Sequence, residues 1–234
     1  MKYFAIILLL SYQFLFCQNN DIELRILNDS IRNLSATEYN NVYYSLTNNS
    51  NHYYYLVLDN SGFNSGENNV VDAPYIGLLD YRIFEKDTLM QAVYGSYDST
   101  ILPNFRTLIS EKDSRTFKKK FRYNRSNNLA DINTSYWIAK NTFLLAPKSS
   151  KKFFTKVLFP HYYAPSDNGT IVYDLKDNGK YYFQIFLQAP KDIIDEFFMI
   201  PDNNYKDAKI FRGIIYSNKV PLLYNVDEKD LSQK

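Results

Sequence analysis

The stretch from Ile171 to Gln188, IVYDLKDNGKYYFQIFLQ, narrows the folds open to this chain more than any other. Tyr181, Phe183, Ile185 and Leu187 recur with a period of two, so an extended backbone sends all four toward one core. The residues just before them, Asp177-Asn178-Gly179-Lys180, are turn formers. A polar turn therefore runs straight into a strand with one apolar face.

Similar alternation recurs along the chain. From Asp21 to Asn28, Ile22, Leu24 and Ile26 alternate with Glu23 and Arg25, which predicts a first strand with one wet face. Asn41 to Thr47 alternates again through Val42, Tyr44 and Leu46. After the Asn48-Asn49-Ser50-Asn51 turn, His52 to Asp59 is apolar on both sides, as a central strand is. These two strands are expected to pair as a hairpin. Asn60 to Asn69 is a loop by composition. Further strands are expected at Tyr75–Lys86 with a continuation over Thr88–Tyr94, at Ser135–Leu145, at Lys151–Phe159, and at Ala208–Ser217 with an extension over Val220–Tyr224. The 22 tyrosines and 17 phenylalanines suit half-buried pleated surfaces. The fold class expected is all-β and mostly antiparallel, with at most a short helix.

Asp177, Gly179 and Tyr181, as Asp-x-Gly-x-Tyr at the start of a strand, resemble the tyrosine corner of immunoglobulin-like β-sandwiches. The resemblance implies that the Tyr181 hydroxyl bonds back to the chain a few residues upstream. It also implies that the turn at Asn48–Asn51 and the connection Ala189–Asp207 lie together at one end, where variable domains of this architecture bind. It concerns the fold and names no activity, because sandwiches host many functions.

The ends set the expected compartment. Lys2 is followed by an uncharged apolar run from Tyr3 to Phe16, too short for a membrane span and suited to a secretory signal over residues 1–17. Cleavage after Cys17 is preferred to lipidation of Cys17, because Phe16 is large where a lipobox has a small residue. The protein is thus expected to be exported, to the periplasm, the outer surface or the medium, with a membrane tether only if Cys17 is lipidated. Residues 18–226 are expected to form one sandwich domain with an insertion at about 95–131, and 227–234 a disordered tail. From Gln18 onward there is no cysteine, so stability must come from the core alone.

Charge excludes one class of partner. Without Lys2, 26 basic residues face 25 acidic ones, and such a balance does not call for nucleic acid. Catalytic signals are few. The two histidines, His52 and His161, lack the spacing of a helical metal pair, and no G-x-S-x-G, Walker-type or G-x-G-x-x-G motif occurs. No catalytic residue, metal ligand or cofactor site is nominated. A glycosidase working through a carboxylate pair is the rival reading, yet nothing singles out a pair among the acidic residues.

Two segments carry the partner-binding candidates. In the insertion, read as a hairpin or loop with Phe105–Ser110 pairing Arg115–Tyr123, the basic run places Lys118, Lys120 and Arg122 on one strand face. That face suits a polyanion, or more simply a solvated edge. In the connection, Asp192 is expected to cap a short helix whose apolar side holds Ile193, Ile194, Phe197 and Phe198. Packing onto an open end of the sandwich is the ordinary role of that side; docking a partner through Ile194, Phe197 and Phe198 is the alternative. The function expected is non-catalytic binding of a protein or glycan at the bacterial cell envelope, with a structural accessory domain of a surface assembly as a further alternative.

Overall fold

The structure, a computed structural model, describes residues 21–32, 39–63, 76–95, 108–157, 161–164, 169–176, 179–200 and 207–224. The strands in chain order are β1 (Ile22–Ile26), β2 (Ile31–Arg32), β3 (Asn40–Asn48), β4 (Tyr54–Val57), β5 (Asp59–Phe63), β6 (Leu78–Glu85), β7 (Thr88–Leu89) and β8 (Val93–Gly95). After helices α1 (Glu111–Phe121) and α2 (Leu129–Asn141) come β9 (Thr142–Leu145), β10 (Ser150–Val157), β11 (His161–Ala164), β12 (Gly169–Val172) and β13 (Tyr181–Ala189). Helix α3 (Lys191–Phe197) then leads to β14 (Lys209–Ile210), β15 (Gly213–Tyr216) and β16 (Val220–Leu223).

Strands dominate and most pairs are antiparallel; β5 with β6, β14 with β4 and β16 with β2 are parallel. One sheet has the order β1-β3-β10. A larger one runs β2-β16-β13-β6-β5, with β15 beside β13 and β7 beside β6. Strands β14-β4-β9 form another, and β11-β12-β8 another.

The alternating faces build the core. Ile22, Leu24 and Ile26 of β1, Val42, Tyr44 and Leu46 of β3, and Tyr181, Phe183, Ile185 and Leu187 of β13 are buried in one cluster. Each large side chain removed from water there contributes roughly 1.5–3 kcal/mol. Strand β4 is buried throughout, as its unbroken apolar run predicts. Its two faces serve two clusters: Tyr54 and Leu56 join the main core, while Tyr55 and Val57 pack with Ile138, Ile194 and Phe198.

The expected β3–β4 hairpin is not formed. Strand β3 pairs with β1 and β10, and β4 with β9 and β14. The buried Asn48 side chain provides the reason. Its Nδ2 donates to the carbonyls of His52, Leu145 and Ala146, and its Oδ1 accepts from the Ser50 N–H and hydroxyl. Saturated in this way, the turn carries the chain from one sheet to another. The Asn60–Asn69 loop also begins later than expected, since β5 runs to Phe63, which is fully buried. Thr88–Tyr94 does not prolong a single strand: β7 folds back on β6, and β8 pairs with β12.

The largest correction concerns the insertion. It carries helix α1 where a hairpin was expected, and α2 occupies most of the expected Ser135–Leu145 strand, leaving only β9. Three helices, not one, stand among the described residues. Ser110 is the α1 N-cap: its Oγ accepts from the Asp113 N–H at 3.1 Å and donates to the Asp113 carboxylate at 2.7 Å. That is the N-cap half of a capping box, with the Asp113 carboxylate returning to the Ser110 hydroxyl and not to its backbone N–H. Phe117 and Phe121 then meet one helical turn apart, and Phe117 packs with Ile109, Tyr123 and Ile132. Asn128 caps α2 by accepting from the Ala130 N–H at 2.9 Å. Residues 1–20, 33–38, 64–75, 96–107 and 225–234 lie outside the described residues, so the signal, the first third of the insertion and the tail do too.

Candidate functional site

Of the corner motif, Tyr181 and Gly179 are described and Asp177 is not. The Tyr181 hydroxyl accepts a 2.8 Å hydrogen bond from the Lys176 N–H, five residues upstream. Gly179 is required by this bond, because a Cβ there would overlap the phenol ring. The pair pins the turn to the base of β13, and its role is structural.

The helix dissolves the basic face expected from Lys118, Lys120 and Arg122. On a helix Lys118 and Lys120 stand roughly 200° apart, not side by side. Lys118, Lys119 and Lys120 occupy the last turn of α1, where cations complement the helix dipole. Arg122 closes the helix in the left-handed conformation at φ 48°. The apolar side of α3 is likewise committed to packing. Ile194 and Phe198 are buried against Tyr55, with the Phe198 and Tyr55 rings 5.9 Å apart, and Phe197 is half-buried beside them. Asp192 lies in the first turn of α3 but does not cap it; Pro190 takes that position, without a side-chain bond. His52 is exposed next to the Asn48 turn, and His161 pairs with Val172 through β11.

A groove of about 940 Å³ brings together residues that the sequence did not single out. One wall is Asp21, Ile22 and Glu23 with Asn49; the other runs from Ala208 to Tyr216, with Tyr54 between. Asn49, from the Asn48–Asn51 turn, and Ala208, just after the Ala189–Asp207 connection, both line the groove. The Tyr54 hydroxyl donates to the Asp21 carboxylate at 2.6 Å, and the Lys209 ammonium lies 3.8 Å from the same oxygen. Burial, and then this bond, push the Tyr54 phenol up to about 12. It serves here as a hydrogen-bond donor to Asp21. Arg212 at the rim pairs with Asp195 at 2.6 Å.

Backbone polarity is the groove's most specific property. The Asp21 carbonyl and Leu27 N–H bond toward β3, so the odd residues of β1 face that partner and the even ones turn away from it. The Ser217 N–H bonds to the Ile185 carbonyl, so Ile214 and Tyr216 turn away from β13 by the same rule. Among the described residues β1 pairs only with β3, and β15 only with β13. At one end the two edges are closed by a side chain: Asn218 accepts from the Ile26 N–H at 2.8 Å and donates to its carbonyl at 3.4 Å. Toward Asp21 and Gly213 they diverge into the groove, a wedge between two strand edges. Gly213, at φ 115°, makes the bend that starts β15.

No family model, no curated protein and no solved structure matches this chain. Among the described residues no cluster of three or more His, Cys, Asp or Glu side chains is placed to hold a metal ion, and no helix is long and apolar enough to cross a membrane.

Proposed function

We propose that this chain is an exported, non-catalytic β-sandwich of immunoglobulin-like type that binds a protein partner at the cell envelope. The partner enters as an extended segment along the open edges of β1 and β15. The observation carrying this reading is the wedge itself: Ile22 on one side and Ile214 and Tyr216 on the other direct backbone groups away from their sheet partners, beside a groove of about 940 Å³. Main-chain hydrogen bonds to such an edge supply affinity, and flanking side chains supply selectivity. The bond from Lys176 to Tyr181 and the crossing of β3 and β4 into different sheets support the immunoglobulin-like architecture. The glycosidase alternative gains nothing from the groove, since Asp21 is engaged by Tyr54 and Lys209 and Glu23 accepts from Asn49.

Panning a displayed library of unstructured peptides against residues 18–234 tests the reading. Selected peptides are expected to protect the Ile214 and Tyr216 amides from hydrogen exchange. Ile214→Pro removes an amide directed into the groove while sparing the ladder to β13, and it is expected to abolish their binding without shifting the denaturation midpoint. Binders indifferent to this substitution, or a library yielding none, would overturn the proposal. Export is tested separately: mass spectrometry of the secreted chain is expected to start at Gln18, and a lipidated Cys17 would contradict it.

A further inference from the structure

The outward face of the β1-β3-β10 sheet carries a row of exposed apolar side chains, apart from the groove. Leu27, Tyr43 and Phe154 form one row across all three strands: the Leu27 N–H bonds to the Tyr43 carbonyl, and Phe154 is the register partner of Tyr43. They are 41%, 50% and 51% exposed, whereas their inward neighbours Ile26 and Tyr44 are buried. The Tyr43 and Phe154 rings lie 6.0 Å apart at 39°, forming a shallow platform. At a strand spacing of about 4.8 Å, the row is roughly 10 Å long.

Cations flank the row on both sides. Arg25 and Lys152 occupy the next row, on either side of the small, buried Ser45. Lys156 lies in the row beyond, paired with Asn41. Successive rows on one face are about 6.6 Å apart, so each cation reaches the edge of anything lying on the rings. None of Arg25, Lys152 and Lys156 forms an ion pair within the described residues. Among the described residues two acids border this face: Glu23 sits two rows away from the rings and accepts from Asn49 at 3.5 Å, and exposed Asp29 lies past Leu27 at the strand edge, in a groove shared with Arg25.

From this arrangement we infer that the face binds an anionic polysaccharide. Aromatic rings lying along a flat sheet offer apolar faces to the C–H faces of successive sugar rings, and a 10 Å row matches a short run of them. Arg25, Lys152 and Lys156 then meet carboxylate or sulfate groups projecting from the rim, where charge-assisted hydrogen bonds are strongest. A neutral glycan leaves the three cations without a purpose, and an anionic membrane leaves the in-plane ring row without one. Polysaccharide is the ligand that uses both.

Affinity electrophoresis in gels containing polygalacturonate, heparin or neutral dextran provides the test. Retardation is expected with at least one anionic polymer and not with dextran. The double variant Tyr43→Ala/Phe154→Ala is expected to weaken binding about tenfold, the scale of a lost stacking contact. Lys152→Gln/Lys156→Gln is expected to weaken it and to flatten its salt dependence. Lys118→Gln/Lys120→Gln, on α1, is expected to leave it unchanged. All these side chains lie at the surface, so an unaltered denaturation midpoint certifies the fold. No retardation by either anionic polymer would overturn the inference. So would binding unaffected by loss of the two rings, or tighter binding to single-stranded DNA or to phosphatidylglycerol vesicles than to the polysaccharides. Ile214→Pro is expected to retain polysaccharide binding, which separates this face from the groove.

Discussion

Two tyrosines with similar burial make opposite predictions because their hydroxyls differ. Tyr181 accepts from the Lys176 N–H, and Tyr181→Phe leaves that amide without its partner; a loss of roughly 1 kcal/mol or more is expected. Tyr44 is fully buried and its hydroxyl has no partner among the described residues. Tyr44→Phe removes a desolvated polar atom while keeping the ring stacked on Phe153 at 5.6 Å, so the denaturant midpoint is expected to hold or rise. If Tyr181→Phe proved neutral, the anchoring role of the corner would be wrong. Tyr181 was legible from the sequence because its motif is local: a glycine two residues earlier makes room for the ring. Tyr44 was legible only as an inward residue, since nothing in the neighbouring sequence says whether its hydroxyl finds a partner across the core.

Among the elements, the join between β1 and β15 rests on one side chain. Asn218 serves both the N–H and the carbonyl of Ile26, substituting for a strand partner where the wedge closes. Asn218→Ala is expected to cost about 1–2 kcal/mol. It is also expected to speed hydrogen exchange at the Ile26 amide more than at Leu27, whose N–H remains bonded to Tyr43. Equal acceleration at both would show that the whole strand loosens rather than the join. Helix α1 illustrates why element type was harder to read than element presence. Phe117 and Phe121 are four residues apart, an even spacing that puts them on one strand face and also one turn apart on a helix. The tie is broken by Ser110 and Asp113, a cap signal three residues apart that reads equally well as a polar turn. With the helix in place, the three lysines become a C-terminal charge complement, and the surface they were expected to form disappears.

For the molecule as a whole, stability is expected to fall in alkali. The folded state holds the Tyr54 proton up to about pH 12, whereas an unfolded tyrosine releases it near pH 10. Its contribution is therefore complete below about pH 10 and is lost as pH rises from 10 to 12. Burial pushes the Tyr44 phenol up as well, with the Asp59 carboxylate adding to the effect, so it acts in the same direction. Denaturation midpoints measured from pH 9 to 12 should decline, and less steeply for Tyr54→Phe; parallel declines would remove Tyr54 as a contributor. The sequence alone determined where the strands with clear alternation lie and which of their residues turn inward, because side-chain alternation is a property of consecutive residues. It placed β1, β3, β6, β10 and β13, and for β1, β3 and β13 their core faces as well. Only the tertiary structure decided which strands pair, that Asn48 carries the chain between sheets, and that Asp21, Tyr54 and Lys209 meet at a groove. Those outcomes depend on hydrogen bonds between residues more than 30 positions apart, and on backbone edges whose free or paired state leaves no trace in the local pattern.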